Sequence, residues 1–478
     1  MKIYFFYLKN SPTFAKLTHY LLQQSSYEER LAIREVENEE LKAVIVTLKL
    51  QIAKLETELA QYRTLKNSGN SSLPPSSDFA PPKRNQSLRE KSGNNPGGQF
   101  GHEGHTLQMK EVPDKVVKHS PCICGKCGMD LANVSETFIE KRQVVDIPPV
   151  QVIYTEHQVY KKTCKCGHVT AGIFPKEVTV PIQYGSSVEA TTVYLHSRQY
   201  LPYERMSELF KHVMNLPISQ GTLNNIVRRF ADKAKPAYQA IKAAIEQAVY
   251  AGSDETGGKV NGNKHWFWTW QNDSLTFIIH SESRGFDTIE LTFPGGLPNT
   301  ILGSDRWAAQ LKCIAHEHQI CMVHLLRDLN FIEELHNSQW ATDLKVIIKD
   351  ALELKEQLQE SDYPLPNIER DALQNRLQQT LHQPIPADHN KAITLQKKLT
   401  KIQQYILQFL YHALVPADNN GSERAIRNVK VKQKISGQFK SAQGADDFAV
   451  IRSIIDTTIK AGKDVYSELV IIAKAAPA

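Results

Sequence analysis

The sequence predicts a multidomain α+β protein: an N-terminal coiled coil, a small cysteine-bearing β module, a helical segment, and an α/β domain with a helical insertion. Three observations predict it. Leu and Ile recur on a heptad spacing over 38–62, two short-spaced cysteine pairs fall at 124–127 and 164–166, and apolar strand-like runs, two of them ending in Asp, alternate with one helical run between 248 and 324. The 478 residues allow three or four units at roughly 100–200 residues per domain. The net charge of +6, from 57 basic and 51 acidic residues, is compatible with nucleic acid without demanding it, because a binder can carry its charge in one patch.

The N-terminal run Met1–Leu8 is apolar but is cut by Lys9 and Asn10. It is too short for a secretory leader and lacks a small-residue cleavage site, so a cytoplasmic protein is expected. Leu41, Leu48 and Leu55 recur every seven residues, followed by Tyr62, with Ile45, Ile52 and Leu59 four residues after each Leu. Leu at d with Ile at a favours a two-stranded coiled coil, and Asn38 at the preceding a position would fix register. A homodimer or higher oligomer is therefore predicted. A lone amphipathic helix packed on its own protein is the competing reading. In 68–105 more than half of the residues are Gly, Pro, Ser or Asn, too little apolar surface to order itself, so this stretch reads as a flexible linker.

Five of seven cysteines lie between Cys122 and Cys166. C-x-x-C and C-x-C spacing points to metal rather than a disulfide framework. Cys124, Cys127, Cys164 and Cys166 suit one tetrahedral zinc of thiolates, with Cys122 left as a fifth candidate. Around them, 106–180 reads as a β-rich, zinc-finger-like module, with alternation over Val144–Ile147 and Gln151–Tyr160. Residues 181–247 read as helical. Within them, a helix, a short turn and a second helix N-capped by Ser219 have the rhythm of a DNA-reading helix-turn-helix. An ordinary pair of core helices fits equally well. Arg228 and Arg229 are the candidate DNA contacts there, placed by this reading at a helix C-terminus.

From 248 the pattern changes to strands: Val249–Asp254, His265–Trp270 and Leu275–His280, then a helical run Gly285–Leu291, then strands Thr300–Asp305 and Gln319–His324. Residues 326–412 turn helical, broken by Pro364, Pro366, Pro384 and Pro386, and a last helix begins near Asn420. Three strands, a helix, a strand and a final helix is the order of a ribonuclease-H-like domain, here 248–440 with 326–412 inserted and further helices over 441–478. In that order strands one and four lie side by side, so Asp254 and Asp305 at their ends converge, and Glu423 on the last helix can join them. Hard carboxylate oxygens suit two magnesium or manganese ions, the pair that serves in-line displacement at a phosphodiester. In a chain with 51 acidic residues, spacing alone is weak support for this triad.

The chain resembles the transposases of the insertion-sequence-66 family, in order and over nearly its whole length. The matching segments are N-S-S-L-P-P-S-S-D at 70–78, P-G-G-Q-F-G-H-E-G-H-T at 96–106, C-G-K-C-G at 124–128, C-K-C-G at 164–167, S-D-E-T-G at 253–257, S-D-R-W at 304–307, C-M-V-H-L-L-R-D-L at 321–329 and D-N-N-G-S-E-R-A-I-R at 418–427. Ser253 stands where Ala is more usual, and the second cysteine pair is C-x-C rather than C-x-x-C. The resemblance implies a DDE-type transposase with Asp254, Asp305 and Glu423 catalytic: hydrolysis frees 3′-hydroxyls at the element's ends, which then attack target DNA, with or without accessory transposition proteins. It leaves two alternatives: a metal nuclease of the same fold without strand transfer, and a catalytically inactive DNA-binding protein. His324 and Arg327, near the second acid, read either as a shell around the active site or as a hydrogen-bonded His and a surface Arg. Arg424, Arg427, Lys430, Lys432, Lys434 and Lys440 form an acid-free run beside Glu423. It reads as a phosphate-binding face or as a merely solvated one. Trp266, Trp268 and Trp270 read as sheet packing rather than base-stacking platforms.

Overall fold

The computed structural model describes residues 106–475 and, before them, 38–52, 54, 55 and the single positions 13, 16, 34 and 101. Leu59, Tyr62 and the linker 68–105, Gly101 apart, lie outside the described residues. Residues 38–52 form a helix. Its heptad side chains Leu41, Ile45, Leu48 and Ile52 are 49–58% exposed. The chain divides into two compact units, one containing Ala231–Glu468 and the other running up to Phe230.

In the second of these, the only ladder among the described residues of the cysteine region is β1 (Lys161–Thr163) against β2 (Val169–Ala171), antiparallel. The expected β-rich module is therefore corrected. Val144–Ile147 and Gln151–Tyr160 are irregular, and their apolar side chains face solvent, Val144 at 92% and Ile153 at 86%. Alternation predicts a strand only where a neighbouring strand and a covering layer exist, and these segments have neither. Helices follow: α1 (Ser186–Val193), α2 (Tyr203–His212) and α3 (Gln220–Glu246). Met206, Phe210, Ile218 and Leu223 bury together. Ser219 caps α3, its Oγ accepting from the Thr222 amide at 3.2 Å. Arg228 and Arg229 are exposed but do not end the helix, which runs on through Pro236 to Glu246. The alanine-rich stretch after Phe230 sustains it, because Ala has the highest helix propensity.

The other unit is built on a five-stranded sheet ordered β5-β4-β3-β6-β7: β3 (Tyr250–Val260), β4 (Asn263–Gln271), β5 (Thr276–Ser281), β6 (Leu297–Ser304) and β7 (Ala315–Ile320). β3 and β4 form a hairpin whose Asn261-Gly262 turn has φ of 47° and 83°, the twist-matched turn for which Asn-Gly is preferred. β3 runs parallel to β6, and β6 parallel to β7. Two short helices, α4 (Phe286–Thr292) and α5 (Ala308–Leu311), make the crossovers. The expected strand Gln319–His324 is displaced: it ends at Ile320, and α6 (Met322–His336) starts immediately after. Its polar sequence, A-H-E-H-Q-I, hid its first half.

Phe267, Trp268, Trp270 and Phe277 are fully buried in the sheet core, as the aromatic alternation of β4 requires. α7 (Gln339–Gln357), α8 (Ile368–Leu381) and α9 (Asn390–Lys401) continue the helical insertion, and all four expected prolines fall between helices. Its core of Leu329, Ile332, Trp340, Leu344, Leu377 and Leu399 is continuous with that under β6 and β7. Lys355 secures its exit, its ammonium donating to the carbonyls of Phe409, His412 and Ala413 at 2.9, 3.1 and 3.0 Å. The chain returns as α10 (Asn420–Ser436) along β3, and Phe439 bridges to Lys259 and Asn261. α11 (Ala442–Lys460) packs on β5, its Ser453 Oγ accepting from Ile278 N at 2.9 Å. The chain's last described helix is α12 (Val465–Lys474). Among the described residues no helix is long and apolar enough to cross a membrane.

Candidate active site

Asp254 lies in the middle of β3, and Asp305 follows the last residue of β6. The two strands pair through Tyr250–Ile301, Ala251–Leu302 and Gly252–Gly303, which sets the two acids side by side beyond the ladder. Glu423 is in the first turn of α10. That helix comes close to β3 because residue 252 is glycine: a Cβ there would meet Ser422 Oγ at 2.7 Å and Asn419 Oδ1 at 2.8 Å. Gly303 does the same for the buried Tyr250 hydroxyl, which would lie 2.4 Å from an added Cβ. Arg306, just past Asp305, has a φ of 68°. A left-handed non-glycine residue stores strain of the kind found at functional sites, and an ion pair with Asp328 holds its guanidinium.

Asn419, inconspicuous in the sequence, ties the backbone of β3, Asp305 and the start of α10 together. Its Nδ2 donates to the Ser253 carbonyl at 2.8 Å and to Asp305 Oδ1 at 3.2 Å. Its own carbonyl accepts from Glu423 N at 3.2 Å, and its amide donates to Cys321 Sγ at 3.3 Å. It is 2% exposed. Only the N-capping preference of Asn ahead of a helix hinted at it. His324 stands between two acids, with Nδ1 3.2 Å from Asp305 Oδ1, an ion-pair distance rather than an aligned hydrogen bond, and Nε2 3.8 Å from Glu423 Oε1. Burial opposes charge on this ring, but contacts with Asp305 and Cys321 outweigh it and hold its pKa up to about 10. Arg327 lies one turn on, 3.5 Å from His324 Nε2.

The electrostatics disfavour full ionisation of the acids. Burial first, then the charges of Asp305, Glu255 and Glu423, raise the Asp254 pKa well above the usual carboxylate range against the pull of one backbone N–H. Carboxylates crowded in low dielectric cannot all ionise without a counter-charge. Among the described residues the one three-member cluster of potential metal donors within 4.8 Å is Asp305, Cys321 and His324. The three acids approach one another without closing into such a cluster. Glu255 points the other way, paired with Arg284 at 2.7 Å and accepting from Gln310 at 3.1 Å, as the alternation of a strand requires.

On α10, Arg424, Arg427, Lys430 and Lys434 are exposed, as is Lys440 beyond its end. Lys432 is not: it is buried, and desolvation lowers its pKa to about 8. The Lys430 ammonium donates to the Gly257 carbonyl at 2.6 Å. The predicted phosphate face thus narrows to its arginines and to Lys434 and Lys440, because α10 turns every third or fourth residue into the sheet.

In the cysteine region each pair makes its own turn. Cys124 N donates to Met129 O at 2.9 Å and Gly128 N to Cys124 O at 3.0 Å, and Cys164 N donates to His168 O at 2.8 Å and Gly167 N to Cys164 O at 2.9 Å. Gly128 and Gly167 take φ of 74° and 84°. Backbone N–H groups of Cys127 and Lys126 aim at the Cys124 sulfur, and that of Cys166 at the Cys164 sulfur, lowering both thiol pKa values. Turns that favour thiolate are what zinc ligation needs. Cys122 instead donates to the Ser120 carbonyl at 3.8 Å.

Three family models match the chain. The one described as transposase IS66 family covers residues 181–447. The zinc-finger binding domain of transposase IS66 covers 121–167. A family of unknown function covers 24–108. An uncharacterized protein of Sinorhizobium fredii, y4jD, is 23% identical over 402 residues, 75% of this chain and 76% of its own length.

Proposed function

The chain belongs to the IS66 family of transposases and carries that family's zinc-finger domain, and on that premise we propose that it cuts DNA at the ends of a mobile element and joins the freed 3′-hydroxyls to target DNA through Asp254, Asp305 and Glu423. One observation supports this above the others: Asp254 and Asp305 lie level on adjoining parallel strands, Asn419 bonds both the Ser253 carbonyl and Asp305, and His324 stands 3.2 Å from Asp305 and 3.8 Å from Glu423 on α10. The strand order, with the first and fourth strands adjacent and the second antiparallel, supports a ribonuclease-H-like domain.

Asp254, Asp305 and Glu423 would hold two magnesium or manganese ions. Their hard oxygens and the raised Asp254 pKa fit such ions, which activate the attacking oxygen and stabilise the leaving one. The protein's own residues supply the rest. Asn419 fixes the Asp305 carboxylate, and Arg284 neutralises Glu255 on the opposite face, so that its charge does not compete for the cations. Arg424, Arg427 and Lys434 offer phosphate contacts whose strength falls with salt. Cys124, Cys127, Cys164 and Cys166 would hold one zinc, and the exposed heptad face of 38–52 would pair with a second copy to bring two DNA ends together.

The test is incubation of purified protein with end-bearing DNA and magnesium, followed by mapping of nicks and joints. Nicks at the element end and joints to target DNA are expected. Nicks without joints would leave a nuclease of this fold, and neither would leave a DNA-binding protein.

A further inference from the structure

On the Glu255 face of β3, across the strand from Asp254, cation–ring contacts link Lys264, Trp266, Arg284 and Trp307 in turn. The Lys264 ammonium lies 4.6 Å from the Trp266 ring centroid, and the Arg284 guanidinium lies 4.8 Å from that of Trp266 and 4.0 Å from that of Trp307. The stack is anchored to both catalytic strands. Glu255, next to Asp254, pairs with Arg284, and Trp307 is two residues past Asp305. The Trp307 indole N–H donates to the Arg284 carbonyl at 3.3 Å, which fixes the ring's orientation.

Packing does not account for Trp307. Trp268 and Trp270 are wholly buried, whereas Trp307 remains 39% exposed. A large aromatic held rigid, backed by a cation and left open to solvent beside a phosphodiester-cutting site, has the properties of a base-stacking platform: sequence-tolerant π contact with electrostatic attraction for the strand. We propose that Trp307 stacks an unpaired or unstacked nucleobase of the DNA strand near the scissile phosphate, with the Arg284 guanidinium, held by Glu255, backing the ring. The proposal rests on DNA being the substrate. Trp268 and Trp270 of β4 are sheet packing, as expected from the sequence; the stacking surface proposed here comes from the turn after β6.

The test is equilibrium binding by fluorescence anisotropy, which needs no cleavage. Full-length wild type, Trp307→Phe and Trp307→Ala are titrated with a fully paired duplex and with the same duplex carrying one unpaired thymine. Wild type and Trp307→Phe should prefer the unpaired base by roughly 5- to 150-fold, the range of one aromatic–base stack. Trp307→Ala should lose that preference while keeping its affinity for the paired duplex and its melting temperature. Equal preference in Trp307→Ala, or none in wild type, overturns the platform. A change confined to self-association would assign Trp307 to a protein contact and overturn it too. Failure of the catalytic reading would appear elsewhere, as duplex cleavage that survives loss of the acids.

Discussion

The sheet-borne acids and the cysteine knuckles are both expected metal sites, and they are built in opposite ways. The acid site is assembled by the fold. Asn419 is 2% exposed and tied to two strands and a helix, and the strands beneath it belong to an apolar core. The cysteine region has almost no fold to do the assembling: Cys127, Cys164 and Cys166 are exposed, and its one ladder is three residues long on each side. A core-built site keeps its shape without its ion, whereas a knuckle pair takes its shape from the ion, because metal-binding free energy is then folding free energy.

The sharpest way to break this contrast is to strip the metals. Structural zinc contributes on the order of 10 kcal/mol in small thiolate sites. Chelation should therefore abolish amide-exchange protection around 122–168 and leave that of β3 and β6 unchanged. Equal loss in both regions would erase the distinction. A smaller effect tests how firmly the insertion braces the acid site. Lys355→Met leaves three carbonyls without their donor and should cost about 3 kcal/mol, read as a lower denaturant midpoint. Burial depresses the Lys355 pKa to about 8, against about 10.4 for an ordinary Lys. Between those values the unfolded chain keeps the proton and the folded one releases it, so this group makes stability rise with pH across that window. Below it, the cost of burying the charge is fully present. Lys355→Met should flatten that rise by up to one proton.

Gly252→Ala probes the approach of α10 to β3. The added methyl meets Ser422 and Asn419 and should cost about 1–3 kcal/mol. Cleavage should fall further than stability, since a displacement of about 1 Å near reacting groups can cost about 100-fold. Cleavage that merely tracks stability would show that the spacing is not critical. Ser219→Ala removes the α3 cap and should lower stability by about 1 kcal/mol without touching the acid site's exchange protection.

The same contrast explains what was legible in the sequence. Asp254 and Asp305 are visible in the sequence because each ends an apolar run. Asn419 and Cys321 were not readable as a pair, because their partnership joins residues 98 apart in sequence and no local period records it. Lys432 looked like its neighbours in a basic run, and only the helix phase against β3 buries it. The cysteine region misled in the other direction. Its alternating segments have the pattern of strands, but a pattern acts only where there is a core to face.

The central claim is that Asp254, Asp305 and Glu423 form one catalytic site whose frame survives the loss of a charge. A paired gel-shift and cleavage assay on Asp254→Asn, Asp305→Asn, Glu423→Gln and the control Glu255→Gln tests it most directly. The account predicts that the first three lose both cleavage and joining, keep end binding, and melt near the wild-type temperature, while Glu255→Gln retains measurable cleavage. Near-normal cleavage by any of the first three would contradict it.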